Sequence, residues 1–301
     1  MSIRTFDGAT VFITGGASGI GRAFGEAVAA RGADVVLADL QSQLAVEAAE
    51  SIRKRGGKAT AAALDVRDRN AVERVVEDTV SRTGRLDYVF NNAGLGVFGE
   101  AHLYSDDDWD LVVDVNLRGV INVIRSTYPR LIEQGYGHLI NTASVAGLIA
   151  PPFVSSYVAT KHAVYGLSKS MRVEAKRYGV RVTALCPGPI RTPILTGGAQ
   201  GRCVYDIEPA AMLKWWSKIG ITELEPFTKE FVAGIERNEG VIVIPKKSRV
   251  MAALARAVPK LEEKASTDLL AVTLKMWPAV GKRIKRAMEG ERTGTRPAIE
   301  A

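Results

Sequence analysis

Residues 9–21 read ATVFITGGASGIG, and this stretch decides the fold. Its first six residues are an apolar run rich in β-branched side chains, which is typical of a buried strand. A glycine-rich turn follows, and a helical pattern then runs over about 19–31 and ends at Gly32. A glycine motif alone is weak, but its position between a strand and a helix indicates a phosphate-binding turn.

The glycines of this turn, Gly15, Gly19 and Gly21, have the spacing Gly-x-x-x-Gly-x-Gly. Glycine adopts positive φ easily and lets the backbone approach a ligand closely. The start of the following helix offers unpaired N–H groups and a positive dipole end to a pyrophosphate. A glycine-rich turn without a ligand is the less favoured alternative.

Strands and helices alternate along most of the chain. Several strands are apolar without the period-two alternation of a half-exposed strand, which predicts an α/β fold with a parallel sheet covered by helices on both faces. The predicted strands are 9–14, 34–39, 58–64, 86–91, 137–142, 180–185 and 241–244. The predicted helices are 19–31, 43–55, 70–82, 107–134, 156–178 and 226–238.

Asp39 ends the second predicted strand, 18 residues after Gly21. An acidic side chain there accepts hydrogen bonds from the adenine ribose hydroxyls and repels a 2′-phosphate. The next residues, Leu40 and Gln41, are not basic, so the sequence favours NAD over NADP. A strand-end Asp that caps a turn is the alternative interpretation, and a basic residue from elsewhere in the fold keeps NADP open.

Tyr157 and Lys161 are four residues apart in a predicted helix, so they share one helix face. A Tyr normally loses its proton near pH ~10, and a neighbouring cation favours the charged form. The spacing therefore predicts a phenol with a lowered pKa that acts as an acid or base. Tyr-x-x-x-Lys also occurs by chance in many helices.

Taken together with other motifs in order, these residues resemble the short-chain dehydrogenase/reductase family of the single-domain type, over about residues 6–244. The resemblance implies a Rossmann-type, doubly wound sheet of seven parallel strands, with NAD across their carboxyl ends. The matching motifs are Thr14 to Gly21, Asp65-Val66, Asn91-Asn92-Ala93-Gly94, Asn116, Ser144 with Tyr157 and Lys161, and Pro187-Gly188 followed by Ile190 and Thr192.

The resemblance implies a catalytic group of Ser144, Tyr157, Lys161 and Asn116. Tyr157 is expected to be the general base in alcohol oxidation and the general acid in carbonyl reduction. Lys161 is expected to lower the pKa of Tyr157 and hold the nicotinamide ribose, and Ser144 to donate to the substrate oxygen. Asn116 is expected to hold a water that links Lys161 to solvent. A turn-capping role for Ser144 and a merely polar helix residue at 116 are the alternatives.

The same resemblance assigns the cofactor contacts. Thr192 is expected to bond the nicotinamide carboxamide, and Ile190 to do so through its backbone. Asn92, Ala93 and Gly94 are expected to line the adenine-ribose side through main-chain groups. The full expected set is Gly15, Ala17, Ser18, Gly19, Ile20, Gly21, Asp39, Leu40, Asp65, Val66, Asn92, Ala93, Gly94, Tyr157, Lys161, Pro187, Gly188, Ile190 and Thr192.

Residues 189–225 form a long insertion, and long segments in compact domains are often lids or binding loops. Together with Phe153 this insertion supplies apolar area for a substrate wall, although packing between subunits explains the same aromatic residues nearly as well. Arg191 and Arg202 stay open as ligands for a substrate carboxylate. The expected wall residues are Phe153, Leu195, Tyr205, Met212, Trp215 and Trp216.

The chain of 301 residues carries a net charge of +7, with a pI near 9.4. Two cysteines without a Cys-x-x-Cys and three scattered histidines predict neither a disulfide framework nor a metal site. No start-of-chain pattern predicts a signal peptide, no run is long enough to span a membrane, and no nucleic-acid motif accompanies the basic balance. The expected location is cytoplasmic, and the resemblance implies a homodimer or homotetramer.

We divide the chain into a single dinucleotide-binding and catalytic domain, 1–245, and a basic helical extension, 246–301, with helical pieces split at Pro259 and Pro278. In the last piece Val280, Ile284 and Met288 recur every four residues among Lys and Arg. A basic amphipathic helix of this kind can lie on a membrane surface, so a weak membrane contact is kept open. Packing on the protein's own core or on a neighbouring subunit is the favoured interpretation.

The sequence therefore predicts an NAD-dependent oxidoreductase that interconverts a secondary alcohol and a ketone. The substrate is expected to be bulky and largely apolar, such as a steroid, aromatic or alicyclic compound. The alternatives are an NADP-linked carbonyl or ketoacyl reductase and a catalytically silent nucleotide-sensing protein. The silent protein is less favoured because Tyr157 and Lys161 are both present.

Overall fold

The seven predicted strands lie side by side in one parallel sheet, in a computed structural model that describes residues 3, 5–197 and 201–277. The strands are β1 (Thr10–Thr14), β2 (Asp34–Asp39), β3 (Lys58–Ala63), β4 (Tyr88–Asn91), β5 (Gly96–Phe98), β6 (Gly137–Thr142), β7 (Val180–Pro187), β8 (Gly201–Cys203) and β9 (Val241–Ile244). The sheet order is β3-β2-β1-β4-β6-β7-β9, and β5 and β8 form a separate parallel pair.

The inner strand β1 is buried on both faces because its apolar side chains alternate between two cores. Val11 and Ile13 pack in one core with helices on one face of the sheet, including Phe24 and Phe231. Phe12 packs in the other core, on the opposite face. This two-sided burial explains why the predicted strands lack a polar period, and it confirms the predicted α/β fold.

Ten α-helices lie in the described ranges. They are α1 (Gly19–Ala29), α2 (Ser42–Lys54), α3 (Arg69–Thr83), α4 (Asp106–Val113), α5 (Val120–Gln134), α6 (Ser155–Ala175), α7 (Pro209–Ile219), α8 (Leu224–Glu236), α9 (Lys246–Ala257) and α10 (Pro259–Met276). Side chains of α1, α2 and α8 line the first core, and side chains of α3, α5 and α6 line the second. The sheet is therefore covered on both faces.

The strand order reverses between β1 and β4. The chain goes from β1 outward to β2 and β3, then returns to β4 on the other side of β1 and continues outward to β9. The loops after β1 and β4 consequently diverge at the carboxyl ends of these two strands. Ligands of open parallel sheets bind in the crevice at such a switch point.

The predicted helix 107–134 is not one regular helix. A π-helical turn, Asp114–Gly119, separates α4 from α5 and contains Asn116. Such turns widen a helix by one residue and are frequent at functional sites. Smaller differences affect the ends of elements: β4 begins at Tyr88 and α6 ends at Ala175, where a short 3₁₀ turn follows.

The insertion 189–225 contains secondary structure. A 3₁₀ turn (Pro193–Thr196) is followed by β8 and α7, and β8 pairs with β5 from Gly96 to Phe98. Of the predicted pieces of the extension, α9 and α10 are described and are split at Pro259 as expected. The third piece, with Val280, Ile284 and Met288, lies outside the described residues. No helix of the described ranges has the length and hydropathy to cross a membrane.

Candidate active site

The glycine turn has the geometry of a close-approach site. Gly15 and Gly19 have φ of 67° and 52°, in the left-handed region that glycine adopts without strain. A Cβ on Gly21 would lie 2.1 Å from the carbonyl oxygen of Gly15, so this position has no room for a side chain. The backbone of the turn therefore lies against the first turn of α1, with its surface open to a ligand at the helix N-terminus.

Thr14 and Asn92 tie the glycine turn to the end of β4. The Thr14 hydroxyl accepts hydrogen bonds from the backbone N–H groups of Asn92, at 3.0 Å, and Ala93, at 3.1 Å. The Asn92 side-chain amide donates to the carbonyl oxygens of Thr14 and Gly15. The N–H groups of Asn92 and Ala93 thus bond Thr14. The predicted main-chain contacts with the cofactor would therefore be made by the carbonyl oxygens of these two residues and by Gly94.

Asp39 caps a turn, as in the alternative interpretation, and its contact with the adenine ribose stays a prediction. One carboxylate oxygen accepts from the backbone N–H of Gln41 at 2.9 Å, which caps the turn after β2. The other accepts from the backbone N–H of Ala17 at 2.9 Å, so Asp39 also holds the glycine turn. A carboxylate has lone pairs for further donors, and within the described ranges Asp39 forms no salt bridge. The neighbouring Leu40 is exposed.

Asp65 and Val66 follow β3 as predicted, but the carboxylate of Asp65 is bound by a neighbour. Arg67 donates to both oxygens of Asp65, with an Nη2–Oδ2 distance of 2.7 Å, and this bond lowers the pKa of Asp65. Val66 is buried against the π-helical turn, where a Cβ on Gly119 would lie 2.6 Å from Val66 Cγ2. An adenine contact of Asp65 must therefore share the carboxylate with Arg67.

Ser144 lies just beyond the end of β6. It caps a short 3₁₀ turn, because its hydroxyl accepts from the backbone N–H of Ala146 at 3.1 Å. The same hydroxyl donates to the carbonyl oxygen of Pro187 at 3.3 Å. The turn-capping alternative is thus correct for the local structure. Ser144 also forms a hydrogen bond with Tyr157 that lowers the pKa of the phenol, in opposition to the effect of burial.

Tyr157 and Lys161 lie on one face of α6, as the spacing predicts. The Lys161 amine donates to the carbonyl oxygen of Thr142 at 2.9 Å and lies 5.3 Å from the centre of the Tyr157 ring. Lys161 is 2% exposed. Burial of the cation lowers the pKa of Lys161 from 10.5 to about 8.

The pKa of Tyr157 does not shift in the direction that we predicted from the spacing. Burial raises it, and this effect is larger than the opposing hydrogen bond with Ser144. The physical reason is that an i,i+4 spacing gives proximity to Lys161 but says nothing about the loss of water around the phenol. Lys161 is held by Thr142 and lies over the ring face, at 5.3 Å from its centre.

Asn116 is fully buried on the π-helical turn. Its side chain accepts from the backbone N–H of Leu95 at 2.9 Å and donates to the carbonyl oxygen of Leu95 at 2.8 Å. A Cβ on Gly94 would lie 3.2 Å from Asn116 Oδ1 and 3.4 Å from Lys161 Nζ. Asn116 and Lys161 therefore both lie next to Gly94, and a water held between them stays a prediction.

The strip after β7 lies along the glycine turn. Gly188 is held by a hydrogen bond from its N–H to the carbonyl oxygen of Ile244 at 2.7 Å. Ile190 is buried, and a Cβ on Gly19 would lie 3.2 Å from the Thr192 methyl group. This strip borders the N-terminus of α1, where the pyrophosphate of a dinucleotide is expected, so a nicotinamide attached to that pyrophosphate would lie along the strip. These residues and the glycine turn together fit a nicotinamide dinucleotide.

Five of the six predicted substrate residues come together in one buried cluster, and the sixth, Leu195, meets it through its backbone. Phe98, Phe153, Tyr205, Met212, Trp215 and Trp277 form a buried cluster, which we call the aromatic cover. Trp216 packs against it and donates to the carbonyl oxygen of Leu195 at 3.0 Å. β5, which carries Phe98, starts at Gly96, where a Cβ would lie 3.8 Å from the Tyr157 ring.

Two members of the aromatic cover were missed in the sequence. Phe98 belongs to β5, a three-residue strand that the apolar pattern did not indicate. Trp277 follows α10, and its ring centre lies 5.3 Å from that of Trp215. The hydroxyl of Thr273 also accepts a hydrogen bond from the Trp215 indole at 3.2 Å. The extension thus packs on its own chain and on the substrate side, as the favoured interpretation expected.

The two arginines kept open for a substrate carboxylate are both paired. Arg191 bonds Glu223 at 2.8 Å. Arg202 forms a two-point ion pair with Asp108, which also closes the capping box of α4. The ion pair joins β8 to α4, and β8 also pairs with β5. Arg202 therefore has a structural role in holding the insertion against β5.

The chain belongs to the short-chain dehydrogenase/reductase family. The family model described as short chain dehydrogenase matches residues 9–201. Levodione reductase of Leifsonia aquatica is 39% identical over 193 residues, which cover 63% of this chain and 72% of that protein. Cyclohexanol dehydrogenase of an Acinetobacter species is 37% identical over 191 residues, covering 63% of this chain and 76% of that protein.

Solved structures agree with this assignment. A crystal structure of a short-chain dehydrogenase/reductase from Burkholderia phymatum in complex with NAD is 27% identical, with a TM-score of 0.76. The match covers 86% of this chain and 97% of that chain. The protein is therefore a short-chain oxidoreductase that acts on an alcohol or a ketone with a nicotinamide dinucleotide.

Proposed function

We propose that this protein is an NAD-dependent dehydrogenase of a bulky, largely apolar secondary alcohol, working reversibly with the corresponding ketone. The observation that carries the proposal is the position of Tyr157 and Lys161. Lys161 lies beside Gly94, next to the residues that hold the glycine turn, and Tyr157 lies beside Gly96 on β5, the strand that carries Phe98 of the aromatic cover. One side of this group offers a cofactor cradle and the other an apolar wall. The relative named cyclohexanol dehydrogenase supports a secondary alcohol as substrate class.

Each polar residue has a role that follows from its surroundings. When bound, the dinucleotide accepts or supplies the hydride, and the protein handles position and the proton. Tyr157 takes the hydroxyl proton of the alcohol, or returns it to the ketone oxygen. Ser144 donates to the same substrate oxygen, and in a buried site this stabilises developing negative charge more than it would in water. The Lys161 amine lies 5.3 Å from the centre of the Tyr157 ring, and by the family resemblance its role is to hold the nicotinamide ribose.

Asp39 supports NAD over NADP. Its carboxylate stands at the end of β2, within hydrogen-bond distance of the glycine turn, and the residue after it is Leu40. A 2′-phosphate at this place would meet a like charge. An NADP-linked carbonyl or ketoacyl reductase is the second candidate. It would require an arginine to turn toward the Asp39 side chain.

The substrate class rests on the aromatic cover. Its members are less than a tenth exposed and meet in stacked, tilted and edge ring contacts, such as the edge contact of Phe98 with Trp215 at 5.8 Å. Because Arg191 and Arg202 are paired, the cover offers apolar and aromatic surface with few free charges. Apolar pockets with a few polar groups at one end bind apolar ligands in a fixed orientation.

The decisive experiment is a screen for NADH formation with secondary alcohols graded by size and polarity, repeated with NADP. The proposal predicts turnover that rises with apolar bulk and a strong preference for NAD. Preferred turnover of small polar alcohols would contradict the substrate class. A preference for NADP would favour the ketoreductase candidate. Cofactor binding without turnover of any alcohol or ketone would favour the nucleotide-sensing alternative.

A homodimer or homotetramer and a cytoplasmic location complete the proposal. The assembly is supported by the family resemblance, in which helices such as 107–134 and 156–178 often pack between subunits. Light scattering of the purified protein over a range of concentrations tests the assembly. A monomer at every concentration would contradict it.

A further inference from the structure

The net charge of the chain is concentrated in the extension. Residues 246–301 contain 13 Lys and Arg and six Asp and Glu, whereas residues 1–245 contain 27 of each sign. The catalytic domain is therefore neutral as a whole, and the net charge of +7 belongs to the extension. A neutral core with a strongly basic appendage indicates a specific anionic partner for the appendage and not a generally basic protein.

The first helix of the extension, α9, faces the protein with its small residues. Ser248 and Ala255, seven residues apart, are buried. The hydroxyl of Ser248 lies near the strip after β7, 3.1 Å from where a Cβ on Gly188 would stand. α9 therefore packs beside the active-site strip, at the carboxyl end of β9.

The opposite side of α9 is apolar and exposed. Val250 and Leu254 are four residues apart on α9, so they share one outward face, and Val258 follows directly after the helix; they are 60%, 47% and 49% exposed. Met251 on α9 and Leu261 in the first turn of α10 are exposed as well. We call these five residues the apolar stripe. Single exposed apolar residues are ordinary on a protein surface, but five within twelve residues indicate an interaction site.

Basic residues accompany the stripe. α9 contains Lys246, Lys247, Arg249 and Arg256 and no acidic residue. All four are exposed, and none takes part in a salt bridge among the residues that the structure describes. A helix with an apolar row and unpaired cations beside it, outside its own core, has the composition of a helix that lies in a membrane interface.

We propose that the apolar stripe docks on an anionic lipid bilayer. The stripe would enter the boundary between headgroups and acyl chains, while the basic residues of α9 meet anionic headgroups. A second copy of the chain is a poorer occupant, because a symmetric interface would place the same four cations opposite one another. Nucleic acid offers the charge but no apolar region for the stripe. The docking surface lies beside the active-site strip, so the proposal goes beyond the proposed function and is compatible with it.

The test is co-sedimentation of the full-length protein with sucrose-loaded vesicles. Vesicles of phosphatidylcholine alone are compared with vesicles that also contain phosphatidylserine. The variant V250S/L254S/V258S removes the apolar row, and R249E/R256E reverses charge beside it. L44S/V46S, on α2, is the matched control, because Leu44 and Val46 are exposed apolar residues on a helix with acidic neighbours.

The proposal predicts pelleting of the wild-type protein with the anionic vesicles. It predicts at least about a tenfold weaker partition for the serine variant and a similar loss for the charge variant, because each cation near an anionic surface contributes about fivefold. The control variant should pellet like wild type. Light scattering and dehydrogenase activity without vesicles should be the same for all four proteins, which separates this test from that of the proposed function.

Three results would overturn the proposal. The first is no pelleting of wild type with anionic vesicles. The second is unchanged pelleting of the serine variant. The third is a smaller assembly of the serine variant in solution without vesicle binding by wild type, which would assign the stripe to an interface between copies.

Discussion

Replacing Lys161 by Met should stabilise the cofactor-free protein near neutral pH while it destroys activity. Lys161 is 2% exposed, and burial lowers the pKa of Lys161 from 10.5 to about 8. A lowered pKa of a cation means that the folded state is penalised for keeping the charge. At ~1.4 kcal/mol per pKa unit the penalty is about 3 kcal/mol at pH values below 8.

The substitution also removes a favourable interaction. The hydrogen bond from Lys161 to the carbonyl oxygen of Thr142 contributes about 1 kcal/mol net. Met has a similar length and no charge, so the variant should gain about 2 kcal/mol in free energy of unfolding at about pH 7. The cation is thus retained for catalysis at the expense of stability.

The stability difference between wild type and Lys161→Met should change with pH in a definite direction. Between the folded pKa of about 8 and the unfolded value of 10.5, the unfolded chain binds a proton that the folded chain has lost. The stability of wild type relative to Lys161→Met therefore rises with pH through this window. The advantage of the variant should shrink by about 2 kcal/mol between about pH 7 and about pH 9.5.

Guanidinium unfolding followed by tryptophan fluorescence measures this difference, with both proteins at one concentration because subunit assembly would shift apparent stability. Lys176→Met, an exposed lysine after α6, is the control and should show no pH-dependent difference. A Lys161→Met protein less stable than wild type at neutral pH, or a gap that does not change with pH, would refute the reasoning.

Three further predictions concern the cofactor cradle, the helix turn and the aromatic cover. Gly21→Ala should abolish dinucleotide binding, measured by calorimetry, because a Cβ would stand 2.1 Å from the Gly15 carbonyl oxygen; binding within twofold of wild type would contradict the proposed cradle. Asn116→Ala should lower the free energy of unfolding by about 2–4 kcal/mol, because it leaves both buried backbone groups of Leu95 without partners, and a stability change below about 0.5 kcal/mol would contradict this. Trp277→Ala should reduce kcat/KM for bulky apolar alcohols by about tenfold or more and leave small alcohols nearly unaffected, whereas equal losses for both would assign Trp277 to stability alone.

The fold was predictable from local patterns because the buried strands and the helix faces repeat with clear periods. β2, β6 and β9 match the predicted ranges residue for residue. Local periodicity could not show β5 and β8, because three-residue strands exist only through pairing between Gly96–Phe98 and Gly201–Cys203. The π-helical turn was equally hidden, since it depends on the bonds of Asn116 with Leu95.

The residues of the candidate site were predictable where the place of one residue in the local sequence limits which residue types can stand there. The glycines of the turn are needed for backbone conformation, and Asp39 follows from its place at a strand end. The direction of the Tyr157 pKa was wrong because burial depends on segments distant in sequence. Trp277 was missed for the same reason, since only the packing of α10 on α7 brings it to Trp215.

The central claim is that Tyr157 carries the proton in a reaction with NAD. The most direct test measures NAD binding by calorimetry and NADH formation from the best alcohol of the screen, for wild type and for Tyr157→Phe. The account predicts binding within a fewfold of wild type and a loss of turnover of about a hundredfold or more, the range that general acid–base catalysis supplies. Normal turnover by Tyr157→Phe would contradict it.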